Sequence, residues 1–471
     1  MNVLAIDQGT SATKALLVGP GNEILGRGEA PVATTAVGAD GVEADPEELW
    51  SSVVSAGAQA LAAARAPGHV PVHAVALANQ GETVLAWDKA SGRPLSRAVV
   101  WQDRRSAGIC ERLAPYASGL QRITGLPLDP YFAAPKMKWL RENVTAGGVL
   151  TTTDTWLLHR LGAQYVTDAA TASRTMLLDL DAAGWSDEAC AAFGIAPEAL
   201  PRVADCAGEV GDTTAFTDKP LPIAGIAVDQ QAALYAHGCV SKGDAKCTYG
   251  TGAFLLVTTG EKAVRSTAGL SASVAWRLDN STTYCLDGQV YTAGSALRWL
   301  TELGILPSPA ALDTVAGTVQ DSGGVTFVPA LAGLGAPHWA PHATGQLGGL
   351  ALATRKGHIA RAVAEGIAAS VAVLAGAVAA DLGRPLTSLR VDGGLTRSRV
   401  LLQAQADLLQ VPVLVSRTPD ATALGVAALA RLTRDGSPPA EVELIVHPVM
   451  TAAESAERMA AYSDALTSCL S

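Results

Sequence analysis

The sequence predicts an α/β protein of two domains with a ligand cleft between them, and three observations predict it. At 471 residues the chain is long for a single core and suits two domains, or three. The opening strand, Gly/Thr turn and strand (DQGTSATKALLV) have a counterpart past the midpoint (TYGTGAFLLV), which suggests an internal duplication with a phosphate-sized loop in each half. Between the two lies LPIAGIAVDQQ, an apolar run suited to a buried strand that delivers Asp229 to its carboxyl end, where ligands collect in open α/β sheets.

Composition limits the function classes. Hydrophobic residues make up 49% and charged residues 17%, ample for large cores. The net charge of −10 argues against nucleic acid or an anionic membrane surface as the main partner, so an anionic ligand must be held by local backbone donors and individual cations. No apolar run reaches the ~18 residues of a membrane-spanning helix, and MNVLAIDQG lacks the charged start and cleavable segment of a signal peptide. The seven cysteines (110, 190, 206, 239, 247, 285 and 469) form no CxxC or Cys/His pair, and read as reduced thiols of a cytoplasmic protein.

In chain order, residues 3–6 read as a strand, 7–13 as a polar turn, and 14–19 and 23–29 as two further strands. The turn carries Gly9, Thr10, Ser11 and Thr13 and is followed by Lys14; such a turn binds phosphate while Asp7 holds a hydrated Mg²⁺, although a plain hairpin loop explains it equally well. Asp45 and Pro46 cap a helix that runs to residue 65. A strand over 73–78 ends in Asn79-Gln80-Gly81-Glu82-Thr83, a polar cluster that suits a small polar ligand or a solvated loop. A short strand over 98–101 precedes QDRR, which reads as a helix start. Residues 124–139 are too Pro-rich for a helix before Lys136, and they offer Tyr131 and Trp139 as ring surfaces. A helix follows over 151–161, and 168–175 (DAATASRT) reads as a turn packed on a neighbouring loop.

After the 221–228 strand, Asp229 has the makings of a general base, with Gln230 and Gln231 as partners for a hydroxylated ligand; an N-capping Asp on an ordinary helix is the competing account. Residues 238–243 read as the joint between the halves. In the second turn, Gly250 and Gly252 allow close approach of backbone N–H groups to phosphate, and Thr251 adds a hydroxyl. A helix is expected from 294 to 303 and a long amphipathic core helix over 356–381. A strand over 389–391 runs into Asp392-Gly393-Gly394, with Ser398 starting a helix; that arrangement is a third candidate nucleotide contact. Thr422 to Gly425 opens a last core helix, and 437–471 reads as a peripheral helical tail.

A dozen of these segments, in order from Ala5 to about residue 432, resemble the FGGY carbohydrate kinases of the actin-like ATPase superfamily, glycerol kinases most closely. Among them are IDQGTSATKA, NQGET, VWQDRR, TGLPLDPYF with KMKW, TDAATASRTML, GIAVDQQAAL, TYGTG and RVDGG. The resemblance implies two actin-like (ribonuclease H-like) domains, 1–238 and 239–436, with the tail 437–471. It implies an ATP- and Mg²⁺-dependent kinase of a small polyol or sugar, assembled as a homodimer or homotetramer, with neither nucleic-acid binding nor membrane insertion. By the same implication, Asp229 is the general base, and Gly81, Glu82, Trp101, Tyr131, Gln230 and Phe254 line the polyol site with it. Thr10, Ser11, Thr13 and Lys14 face the β- and γ-phosphates, with Asp7 near Mg²⁺. Gly250, Thr251, Gly294, Arg298, Gly393, Gly394 and Ser398 hold the rest of the nucleotide.

The departures bear on substrate choice. Glycerol kinases have NQRET where this chain has NQGET, so Gly81 replaces an arginine that binds substrate hydroxyls. Leaving those hydroxyls without a charged donor costs on the order of 1–3 kcal/mol, roughly 10- to 100-fold in affinity. The space opened at Gly81 favours a four- or five-carbon polyol or ketose such as erythritol, xylulose or ribulose as the second expectation after glycerol. Val228 stands where the family usually has Gly, Lys14 where Arg is common, and Ala133 where Ser or Thr is usual; the glycine-rich fructose 1,6-bisphosphate loop is not visible before Pro222. A reading from another class, an actin-like nucleotide sensor without catalysis, has no need of Asp229 beside an intact TYGTG.

Overall fold

The computed structural model describes residues 1–65, 70–417, 420–431 and 441–470; the expected boundary at 436 lies outside them. Two mixed sheets carry the architecture. In the first, the order is Asp212–Thr213, Leu221–Val228, Ala74–Asn79, Val3–Gln8, Ala12–Val18, Ile24–Pro31. In the second it is Ser271–Leu278, Ser281–Val290, Ala253–Gly260, Ala245–Tyr249, Leu389–Asp392, Val413–Ser416, Val442–Val446. Each sheet contains the same five-strand plan: three antiparallel neighbours, the first of which pairs in parallel with a fourth, and the fourth in parallel with a fifth. The duplication suggested by the two Gly/Thr turns is therefore a duplication of topology.

The strand compositions explain these placements. Val3–Gln8, Ala74–Asn79 and Leu221–Val228 are almost wholly buried, the continuous apolar runs that a sheet covered on both faces requires. The helix Pro46–Arg65 covers one face, and Gly26 and Gly28 admit it: a Cβ at either would stand 2.1 Å from a helix carbonyl, of Ala60 and Ala56 respectively. The other face is covered by Asp229–Ala236 and by Ala421–Arg431, a helix that arrives from the far end of the chain. Lys356–Leu382 lies in the core of the second sheet. By length and composition it could cross a membrane, yet 67% of its most apolar window is buried inside the protein; it is buried more nearly all round than an amphipathic surface helix.

Several boundaries differ from the sequence expectation. The helix before Lys136 begins at Ala133, because Pro135 falls in its first turn, where the missing N–H is no loss. QDRR is not a helix start: Asp103 accepts from the Val42 and Arg105 backbone amides, and the helix forms at Ala107–Leu113. The tail is not only helical. Val442–Val446 adds an edge strand, and the helix Ala452–Leu470 places Tyr462 and Leu466 in the core.

Candidate active site

The strands Val3–Gln8, Ala74–Asn79 and Leu221–Val228 run in parallel, so their carboxyl ends bring Gln8, Gln80 and Asp229 to one edge. The Gly/Thr turn of the second half closes on that edge. Between the halves is a cavity of about 350 Å³, the scale of a small-molecule site. Its walls include Thr10, Ser11, Gly81, Glu82, Trp101, Tyr131, Asp229, Gln230, Thr251, Phe254 and Arg298, residues expected at the site from the sequence.

A hydrogen-bonded scaffold shapes one end of the cavity. Asn79 Nδ2 donates to Gln8 Oε1 at 2.6 Å, Thr10 Oγ1 to Gln80 Oε1 at 3.0 Å, and Trp101 Nε1 to Thr10 Oγ1 at 2.9 Å. The turn so held gives Glu82 a φ of +58°, strain that a non-glycine residue accepts only where the surroundings impose it. Trp101 lies edge-on to Tyr131 and Phe254, with centroids 5.8 and 6.0 Å apart, an apolar wall for a carbon skeleton.

Asp229 begins the helix Asp229–Ala236, and its Oδ1 accepts from the Gln230 backbone N–H at 2.7 Å. Burial raises its pKa; the Gln230 bond and the charges of Lys246 and Arg174 hold the rise back. Asp7 rises further, to about 7, through burial and then through the charge of Asp229, with Lys14 opposing and Asp420 and Asp392 adding. Asp392 Oδ1 is itself buried without a hydrogen-bond partner. Among the described residues no three acidic, His or Cys side chains gather closely enough to hold a metal alone, but this electronegative corner fits a Mg²⁺ held chiefly by phosphate oxygens and water.

Other expected residues stand differently. Thr13 faces away from the cavity: it is fully buried, its Oγ1 2.6 Å from Ser52 Oγ, because it lies on the opposite face of its strand from Lys14, which pairs with Asp7. Ser398 caps Arg399–Leu409 through the Leu401 amide and bonds Asp313, so its hydroxyl is committed. The Gly250 N–H is spent inside its own turn on Gly252 O at 2.8 Å, and the Gly294 N–H on Gly250 O at 3.0 Å. Gly393 is required, since its φ is +93° and a Cβ would stand 2.3 Å from Tyr249 O, whereas Gly394 faces open space.

Three charged residues went unnoticed in the sequence. Arg174, within the 168–175 stretch, bridges Glu82 at 2.6 Å and Asp287 at 2.5 Å, all three buried. Lys246 is buried and donates to Gln230 Oε1 at 2.6 Å and Thr248 Oγ1 at 2.9 Å. A lone Arg in a run of small and hydroxyl residues, and single charges inside the strand sequences AKCTY and YCLDGQV, were the available signals, because charges are seldom buried unpaired.

Comparison with known proteins covers nearly the whole chain. Residues 2–236 match the N-terminal domain of the FGGY family of carbohydrate kinases and residues 245–433 its C-terminal domain. A glycerol kinase of Thermus brockianus is 44% identical over 90% of this chain and 88% of its own, and one of Bordetella parapertussis 43% identical over 91% and 88%. Among solved structures, a glycerol kinase of Plasmodium falciparum with ADP superposes with a TM-score of 0.92 at 29% identity, over 100% of this chain and 98% of that one.

Proposed function

The chain belongs to the FGGY family of carbohydrate kinases, and from that premise we propose that it transfers the γ-phosphate of ATP to a hydroxyl of glycerol. The single observation that carries the reading is the position of Asp229 in the cavity wall, between the ring-lined polyol end and the two Gly/Thr turns. Phosphoryl transfer needs little covalent help from a protein; positioning and charge stabilisation supply most of the rate. Asp229 takes the proton of the attacking hydroxyl, and its raised pKa makes it a better base than an exposed carboxylate. Glu82 and Gln230 hold the remaining hydroxyls, while Trp101, Tyr131 and Phe254 cover the carbons. Thr10, Ser11, Lys14 and Thr251 face the phosphates, and Arg298, Gly393 and Gly394 shape the rest of the nucleotide site. Asp7, through water, would hold Mg²⁺, which supplies neutralisation of the phosphate charge.

One observation favours a longer substrate as the second reading. A Cβ at Gly81 would press on a Val228 methyl at 3.0 Å and meet nothing else within 4 Å, so the wall is open beyond that methyl. ADP release measured over glycerol, erythritol, D-xylulose, L-ribulose, dihydroxyacetone and an acceptor-free blank separates the readings. Glycerol is expected to lead, and Asp229→Asn to lower kcat by about 10²- to 10⁴-fold. Preference for a four- or five-carbon acceptor moves the assignment to the second reading. If no acceptor exceeds the blank, the kinase reading fails.

A further inference from the structure

Arg174 is only 4% exposed, and what exposure it has is to the cavity it lines. Its Nε donates to Glu82 Oε1 and its Nη1 to Asp287 Oδ2. Nη2 has no protein acceptor among the described residues, yet it is not one of the side-chain nitrogens sealed from solvent without a partner. The open space it reaches is therefore the cavity itself. Guanidinium groups carry five N–H donors in a rigid fork, so fixing two of them on carboxylates aims the rest.

The wall beside Glu82 is asymmetric. On its chain-neighbour side, Gly81 offers no donor from a side chain, and Val228 occupies the adjoining space with a methyl group. On the other side stands Arg174. We propose that Arg174 is a specificity-determining substrate ligand: Nη2 donates to a hydroxyl oxygen of the polyol whose O–H is accepted by Glu82. This rests on the polyol kinase reading above and names how that site recognises its substrate.

The charges narrow the substrate class. Glu82, Asp287 and Asp229 face Arg174 at this end of the cavity, and Lys246 and Lys136 lie close behind them, so the charges are matched within the protein and a neutral polyol fits. The donor–acceptor pair also demands a hydroxyl at one point, and an analogue lacking it leaves both buried groups unsatisfied.

The test compares glycerol with propane-1,2-diol and propane-1,3-diol, each of which lacks one hydroxyl, on the wild type, Arg174→Gln and Arg174→Lys. The wild type is expected to prefer glycerol over both. Arg174→Gln is expected to lose about 10- to 100-fold in kcat/KM on glycerol. On the diol that lacks the recognised hydroxyl its loss should be only a few-fold, with ADP affinity unchanged; the melting temperature falls, because Glu82 and Asp287 lose their buried partner, so the acceptor ratio is read well below it. Equal losses on all three acceptors would mean a structural role only, and no loss on glycerol would mean no role; either overturns the proposal. Should Arg174→Gln fail to fold, Arg174→Lys decides by the same ratio, since it keeps the charge beside Glu82 and Asp287 but not the fork. Restoration of glycerol preference by Gly81→Arg with Val228→Gly in the Arg174→Gln background would show that the guanidinium, wherever placed, is what counts. A wild type inactive on every acceptor would refute the kinase reading itself, a different outcome from an active enzyme indifferent to position 174.

Discussion

At the scale of single residues, the site works through buried charges whose neighbours set their protonation. Glu82 shows the balance: burial pushes its pKa up, Arg174 pulls it down, Lys136 adds to the pull, and Asp229 opposes it. Lys136 is kept useful by three carbonyls, those of Pro130, Tyr131 and Phe132, although burial lowers its pKa to about 8. For Asp229 the consequence is measurable. A base acts only when deprotonated, and burial raises this one above the ordinary range of a carboxylate. Activity is thus present above the raised pKa and lost as pH falls through it. The acid limb of kcat/KM is expected at a higher pH than 3.8, and Lys246→Met, which removes a charge that opposes the rise, should move that limb higher still. An acid limb at or below the ordinary carboxylate range, or one that Lys246→Met leaves in place, would contradict this account. These details were the least legible part of the sequence. Asp229, Glu82 and the three rings announced themselves by position in recognisable strings, but Arg174 and Asp287 owe their roles to partners 92 and 113 positions distant, and Lys246 to Gln230, 16 positions away on another element, which no local pattern discloses.

At the scale of elements, turns between strand and helix place the chemistry, and glycines decide whether those turns close. Gly393 and Gly394 looked equivalent in sequence, and they are not. Gly393 ends the strand Leu389–Asp392 with a left-handed φ and packs its α-carbon against the Tyr249 carbonyl; Gly394 opens a short 3₁₀ turn into free space. Gly393→Ala is expected to force Leu389–Asp392 off Ala245–Tyr249, with a loss of several kcal/mol in stability and weaker ADP binding. Gly394→Ala should melt within a few degrees of wild type. Calorimetry and ADP titration of the pair check this, and equal behaviour of the two variants would refute it. The strands were legible because burial on both faces writes a continuous apolar run, and the long helices because their length and caps are local signals. The edge strand Val442–Val446 was not, since its residues alternate between half-buried and exposed and include a glutamate, Glu443.

At the scale of the whole molecule, chain order and spatial order part company. The sequence suggested two halves in succession, and each sheet does have its own five-strand plan. Yet the helix Ala421–Arg431, close to the end of the second half, is buried on the first sheet against Leu221–Val228, Val3–Gln8 and the helix Asp229–Ala236. Gly425 lets it approach so closely that a Cβ there would stand 1.9 Å from Ala232 O. Its last residue, Arg431, donates to the carbonyls of Val18 and Met1 and to Asn22 Oδ1. Nothing in the sequence around TALGVAAL says which sheet it covers, because an apolar helix fits either. Such a crossing helix removes the independence that two domains ordinarily have. A fragment of residues 1–238 should leave Val228, Ala232 and the other apolar side chains under that helix exposed, and is expected to aggregate or to lack a cooperative melt. The full chain should unfold in one transition whose calorimetric and van't Hoff enthalpies agree. Two separable transitions, or a soluble fragment that melts cooperatively, would show that the crossing helix only decorates the first sheet. One transition would mean that the cavity between the halves is framed by a single cooperative unit, so that the separation of Asp229 from the second Gly/Thr turn is set by the same packing that holds the chain folded.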